Sequence, residues 1–197
     1  MTPARPASTR AQWRRWLAVG LLMVAPSSPA LAESPVPGLL KSLQLVGYPS
    51  RPTSPDFSGE TVDGHRLSPT DLRGKVVLVN FWANWCLECR PEMLVLEQLH
   101  RERARHGLVI VGVNARETTE TVRHYAKVSG LTFPLVLDPD GIINARYGVV
   151  GLPTTFLVGR DGRAVAFAIG PRDWGGGPAR ALFDALLAEV TPRPTAP

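Results

Sequence analysis

Val79-Asn80-Phe81-Trp82-Ala83-Asn84-Trp85-Cys86-Leu87-Glu88-Cys89-Arg90-Pro91-Glu92 sets a C-x-x-C between an apolar run and a helix-like segment, and it holds both cysteines of a 197-residue chain. Upstream, Lys75 to Trp82 is β-branched and aromatic over a strand's length, with Gly74 just before it. Downstream, Met93, Leu96 and Leu99, flanked by Leu94 and Val95, recur near helical spacing. The thiols therefore stand where a strand turns into a helix. There, unpaired backbone N–H groups and the positive end of the helix dipole favour an anion.

Thiolate is the attacking form of cysteine, and its pKa of about 8.5 falls at helix N-termini and in C-x-x-C settings. Cys86, nearer the N-terminus, is expected to be the exposed nucleophile. Cys89, one turn deeper, is expected to resolve the mixed disulfide. Asn84 is a candidate cap for the turn, and Pro91 lies close enough to the helix start to be tolerated. Half of a zinc site is a competing reading, but zinc usually takes four ligands, and there is neither a second C-x-x-C nor a His-x3-5-His pair. His65, His100, His106 and His124 are scattered through polar contexts and read as surface residues. A permanent structural disulfide is the other competitor, although so short a loop would constrain little of the unfolded chain. Beside a β-α-β pattern, the motif favours a dithiol that exchanges electron pairs with other thiols. Neither a metal nor an organic cofactor is expected.

The chain opens with Arg5, Arg10, Arg14 and Arg15, continues through an apolar stretch from Trp16 to Ala25, and reaches Ala30-Leu31-Ala32. That order describes an export signal over residues 1–32, cleaved after Ala32. The apolar core is short of the roughly 20 residues a membrane span needs, and an uncleaved anchor over 16–32 is the alternative. Arg14-Arg15 is a weak hint of twin-arginine export. The formal charge of +5 owes four units to those arginines, which leaves +1 for residues 33–197. No Lys/Arg-dense block remains, so nucleic-acid binding loses its support.

Residues 33–52 carry Pro35, Pro37, Pro49 and Pro52 and read as a Pro-rich linker, with Leu39, Leu40, Leu43 and Leu45 able to form a short docking turn. One domain is expected over 53–190, and a frayed tail over 191–197. Within the domain, Asp63-Gly64 centres a hairpin from Phe57 to Leu67. Strands follow at Val76–Trp82, Leu108–Asn114, Phe133–Leu137, Thr154–Val158 and Ala164–Ile169. Helices are expected from Cys86 to about His106, from a Thr118 cap to about Ser129, over Ile142–Tyr147, and from Gly177 to Val190. This alternation gives an α/β fold with a mixed central sheet flanked by helices, and the dithiol at the carboxyl end of a central strand.

The segments Val79 to Cys86, Cys89-Arg90-Pro91-Glu92 and Gly151-Leu152-Pro153-Thr154-Thr155-Phe156 resemble secreted thioredoxin-like proteins of the TlpA/ResA kind, with an AhpC/TSA–Redoxin-type domain, over about residues 53–190. The resemblance implies a thioredoxin-like fold with an N-terminal hairpin and a β-α insertion over Thr118 to Leu137. It places Cys86 and Cys89 on the family's nucleophilic and resolving cysteines, and Pro153 on its cis-proline. With that bond cis, Leu152 would be free to pair with an extended substrate segment, beside Trp85. Asn80 stands where cytoplasmic thioredoxins carry a buried aspartate. Glu92, on the family's acidic position, is therefore the nearest candidate base for Cys89; a surface glutamate is the bland alternative.

Leu87 and Glu88 separate the cysteines, where many relatives have a proline before the second one. A negative charge at Glu88 disfavours thiolate, which points to a more reducing couple. The expected function is an exported thiol–disulfide oxidoreductase that reduces protein disulfides. The resemblance implies apocytochrome c among its substrates and an inner-membrane thiol donor as its electron source; a monomer is expected. A peptide-binding module without redox turnover and a thiol-dependent peroxidase are the alternatives; the latter lacks the Pro-x3-Thr-x2-Cys setting of peroxiredoxins.

Overall fold

β4 (Val76–Trp82) is buried along its whole length, and the two-residue period of a strand divides its side chains between two cores. Val76, Leu78 and Trp82 join one cluster, while Val77, Val79 and Phe81 join the other. A strand apolar on both faces has to be covered on both. The first core takes Leu40 from α1 (Val36–Ser42), Met93 and Leu96 from α2 (Cys89–Arg103), Val122 from α3 (Thr119–Ser129), and Leu182 and Phe183 from α5 (Gly177–Ala188). The second takes Ile143 from α4 (Ile142–Arg146), together with Phe57 and Tyr147. The computed structural model describes residues 1–2 and 34–189. The tail expected over 191–197 and, beyond its first two residues, the export signal expected over 1–32 lie outside the described residues.

β4 runs parallel to β5 (Leu108–Ala115), from Val76 opposite Leu108 to Trp82 opposite Asn114. On its other side it runs antiparallel to β7 (Thr154–Val158), from Val77 opposite Val158 to Phe81 opposite Thr154. β6 (Leu135–Asp138) adds a parallel strand beyond β5, and β8 (Ala164–Ile169) an antiparallel one beyond β7. With β1 (Val46–Gly47) at the far edge, the order is β1-β8-β7-β4-β5-β6. This is the mixed sheet that the alternation predicts, and α3 with β6, the expected insertion, forms one edge. The expected hairpin is a short pair, β2 (Gly59–Glu60) with β3 (Arg66–Leu67).

Local chemistry sets the boundaries. The Thr118 side chain accepts the N–H of Thr121 at the start of α3, and Gly130 ends that helix at φ 66, a left-handed conformation that favours glycine. At Gly112 in β5, an added Cβ would meet Leu135 at 2.8 Å and the Trp82 ring nitrogen at 2.9 Å. Only a residue without a side chain lets these groups pack so closely over the sheet.

Two expectations need correction. Residues 33–52 are not only a surface linker, because they carry α1 and β1. Pro35 and Pro37 fall at the cap and first turn of α1, where a missing N–H has no helical partner to lose. Leu40, Leu43 and Leu45 are buried, α1 packs on α5, and β1 pairs Val46 with Phe167 and Gly47 with Ala166. His100 is also not a surface residue like His65, His106 and His124. Its ring lies edge-on to Phe133, and burial pulls its pKa below the usual histidine value.

Candidate active site

The turn between β4 and α2 is built from short backbone bonds. The Cys86 N–H donates to the Ala83 carbonyl at 3.1 Å, and the Cys89 N–H to the Cys86 carbonyl at 3.2 Å. α2 consequently begins at Cys89, three residues later than expected, with Glu88 at its cap position and no side-chain cap bond. Asn84 does not cap the helix. Its N–H donates to Glu117 Oε2 at 2.7 Å, and its carbonyl accepts from Arg90 Nε at 2.9 Å. The same Glu117 oxygen accepts from Asn114 Nδ2 at 2.6 Å. A carboxylate just past β5 thus ties down the loop ahead of the cysteines.

Cys86 and Cys89 are joined by a disulfide with their Cα atoms 5.3 Å apart. The two sulfurs are unequally placed: Cys86 keeps 7% of its surface open, whereas Cys89 is 0% exposed. Cys86 forms part of a groove of about 760 Å³ that also takes in Trp85, Leu87, Glu88, Arg116, Val150 and Leu152. Trp85 and Leu87 are 64% and 76% exposed, so apolar surface flanks the reachable sulfur on both sides. The Leu152–Pro153 peptide bond is cis. Pro153 is buried, directly after the lining residue Leu152.

Glu92 lies one helical turn beyond Cys89 and is buried, not on the surface. Strand periodicity puts Asn80 on the same face of β4 as Leu78 and Trp82, toward α2. Asn80 Nδ2 donates to Glu92 Oε2 at 2.9 Å and to Thr155 Oγ1 at 2.9 Å. Glu92 Oε1 accepts from Trp174 Nε1 at 2.8 Å and from the Arg172 N–H at 3.0 Å. Burial pushes the Glu92 carboxyl above the usual carboxylate range; the bonds from Arg172, Asn80 and Trp174 pull the other way without overcoming it. Asn80 Oδ1 is buried without a partner among the described residues.

The structure brings Cys86, Leu152 and Trp85 to one groove and sets Cys89 and Glu92 in the core behind it. The sequence reading did not single out Trp174, Arg172, Glu117 or Arg116. Trp174 and Arg172 reach Glu92 from 82 and 80 residues away, a separation with no local signature. Among the described residues, no group of three or more His, Cys, Asp and Glu is placed to hold a metal ion. No helix there is long and apolar enough to cross a membrane.

The AhpC/TSA family matches residues 52–166. The thioredoxin-like protein YneN of Bacillus subtilis (strain 168) is 42% identical over 124 residues, covering 61% of this chain and 72% of that protein. The thiol-disulfide oxidoreductase ResA of Bacillus anthracis is 32% identical over 139 residues, 71% of this chain and 77% of its own. Among solved structures, a thiol:disulfide interchange protein of the thioredoxin family from Chlorobium tepidum TLS is 33% identical and superimposes with a TM-score of 0.63. That match covers 72% of this chain and 100% of the other.

Proposed function

This chain belongs to the AhpC/TSA family and is a thiol–disulfide oxidoreductase; from that premise we propose that it reduces protein disulfides outside the cytoplasm through Cys86 and Cys89. The observation that carries the assignment is the unequal burial of the two sulfurs, one at the groove and one sealed in the core. Only Cys86 can meet a substrate sulfur without the fold opening.

In the reduced protein, the Cys86 thiolate attacks one sulfur of a substrate disulfide. The substrate S–S bond breaks, an enzyme–substrate disulfide forms, and the departing substrate thiolate takes a proton. Cys89, deprotonated, then attacks Cys86 Sγ. The mixed disulfide breaks, the second substrate thiolate is protonated, and the Cys86–Cys89 disulfide forms. The substrate has gained two electrons and two protons, and an external dithiol must return them to the enzyme. Glu92 is the proposed acceptor of the Cys89 proton, since a carboxyl with a raised pKa is better matched to proton transfer near neutrality than an ordinary one. The edge at Leu152 and the apolar collar of Trp85 and Leu87 are the proposed docking surface for an extended substrate segment.

The direction rests on Glu88, an exposed acid between the cysteines, which disfavours thiolate and with it the reduced form. The site of action rests on residues 1–32, proposed as an export signal, with an anchor over 16–32 as its variant. Apocytochrome c is a proposed substrate, a membrane thiol protein the proposed donor, and the monomer the proposed working form. Trapping tests the roles: Cys89→Ser is expected to hold substrate proteins as a covalent disulfide through Cys86, released by dithiothreitol. Trapping by Cys86→Ser instead would reverse the assignment.

A further inference from the structure

Arg116 follows directly on the last residue of β5 and lines the groove that Cys86 shares. It is one of three residues other than glycine held at positive φ among the described residues, with φ 60, a conformation costly for a side chain with a Cβ. Its N–H donates to the Asp138 carbonyl at 3.1 Å, which fixes the bend. Its guanidinium lies against Gly141, where an added Cβ would stand 2.7 Å from Nε and 3.0 Å from Nη2. Gly141 itself is at φ 72, so the position favours glycine and leaves room for the guanidinium.

The side chain is exposed, yet no carboxylate of the described residues lies within ion-pair distance of it. The other charge lining the groove, Glu88, is of opposite sign and also unpaired among the described residues. The groove therefore presents apolar surface at Trp85, Leu87 and Val150, a reachable sulfur, and one unpaired charge of each sign, the exposed Glu88 between the cysteines and the planar cation of Arg116 against Gly141. A guanidinium offers a fork of N–H donors matched to a carboxylate.

We propose that Arg116 is a specificity-determining residue, forming a subsite for the carboxylate of an acidic residue near the substrate's disulfide. The proposal rests on the dithiol reading of the same groove. An exposed, rim-type charge acts mainly through encounter and register, so its effect belongs in the second-order rate constant and weakens with salt.

The test uses pre-reduced protein and two synthetic peptides, each closed by one internal disulfide and identical except for Glu or Lys two residues from one half-cystine. An uncharged small disulfide, bis(2-hydroxyethyl) disulfide, is run alongside with the wild type. The wild type is expected to reduce the Glu peptide about fivefold faster than the Lys peptide at low salt, with the preference collapsing at about 1 M salt. Arg116→Gly, which suits the backbone at positive φ, should bring the ratio to near one, and Arg116→Glu should invert it. Equal rates for the two peptides in the wild type, or a preference that survives in both variants, would overturn the subsite alone. Failure of the wild type to reduce either peptide or the neutral disulfide would bring down the dithiol reading and the subsite together.

Discussion

Replacing Glu92 tests whether a buried carboxylate organises the floor of the active site. In Glu92→Ala, the Trp174 ring N–H and the Arg172 backbone N–H lose their shared acceptor, while Asn80 Nδ2 keeps Thr155. A buried donor left unpaired costs roughly 1–3 kcal/mol, so two of them cost about 2–6 kcal/mol. Removing a charge from a dry site offsets part of this at neutral pH. The offset fades where the carboxyl is already protonated. Glu92→Gln keeps an oxygen for Trp174 and Arg172 and sets an amide against Asn80. If Asn80 turns over, its unpartnered Oδ1 can accept from that amide, so the cost should be about 1 kcal/mol.

The same pair of variants reads the pH dependence. The folded pKa of Glu92 is raised, chiefly by burial. Its contribution to stability is thus fully present below the unfolded carboxylate value of about 4.3 and is lost as pH rises through the folded value. The slope can reach at most about 1.4 kcal/mol per pH unit. Urea unfolding of the oxidised protein, followed by tryptophan fluorescence from pH 4 to 8, should show this decline in the wild type and a flatter line in Glu92→Gln. Equal losses in the Ala and Gln variants, or an undiminished slope in Glu92→Gln, would refute the reasoning.

Other substitutions probe separate parts. Trp174→Phe removes one donor to Glu92 Oε1 and should cost about 1–2 kcal/mol while moving the pH-dependent loss of stability to higher pH. Gly112→Ala drives a methyl toward Leu135 and the Trp82 ring nitrogen and should lower stability by about 1–3 kcal/mol in the same urea assay. Thr118→Ala removes the cap on α3 and is expected to cost about 1 kcal/mol with little effect on disulfide reduction. Tyr147, whose pKa is pushed up to about 12 by burial, donates to the Pro55 carbonyl at 2.7 Å; Tyr147→Phe should lose about 1 kcal/mol and remove the latest tyrosine step in an ultraviolet titration.

What the sequence made legible was local. The apolar run of β4, the adjacent C-x-x-C and the Thr118 and Gly130 signals each carry their meaning within a few residues, and they fix where those elements lie along the chain and the dithiol's place between strand and helix. The sequence pattern starts α2 three residues early, at Cys86 instead of Cys89, because Cys86 to Glu88 form a turn that leads straight into the helix. Residues 33–52 resemble a linker because prolines look the same in an extended segment and in a first helical turn. The surroundings of Glu92 are out of the sequence's reach: the partners arrive from β4 and from the approach to α5, and no spacing announces such a meeting. Arg116 was hidden for another reason, since its importance lies in a backbone angle and a neighbouring glycine.

The pairing of β1 with β8 bears on how a working fragment of this protein should be cut. The family match starts at residue 52, an inviting place to begin an expression clone. A clone begun there would leave out α1 and β1, baring the outer rim of β8 and the apolar bed that Leu40, Leu43 and Leu45 cover. Naked strand rims recruit other chains, so such a clone would tend to clump for reasons foreign to its chemistry. Beginning near Ser34 keeps that flank sealed.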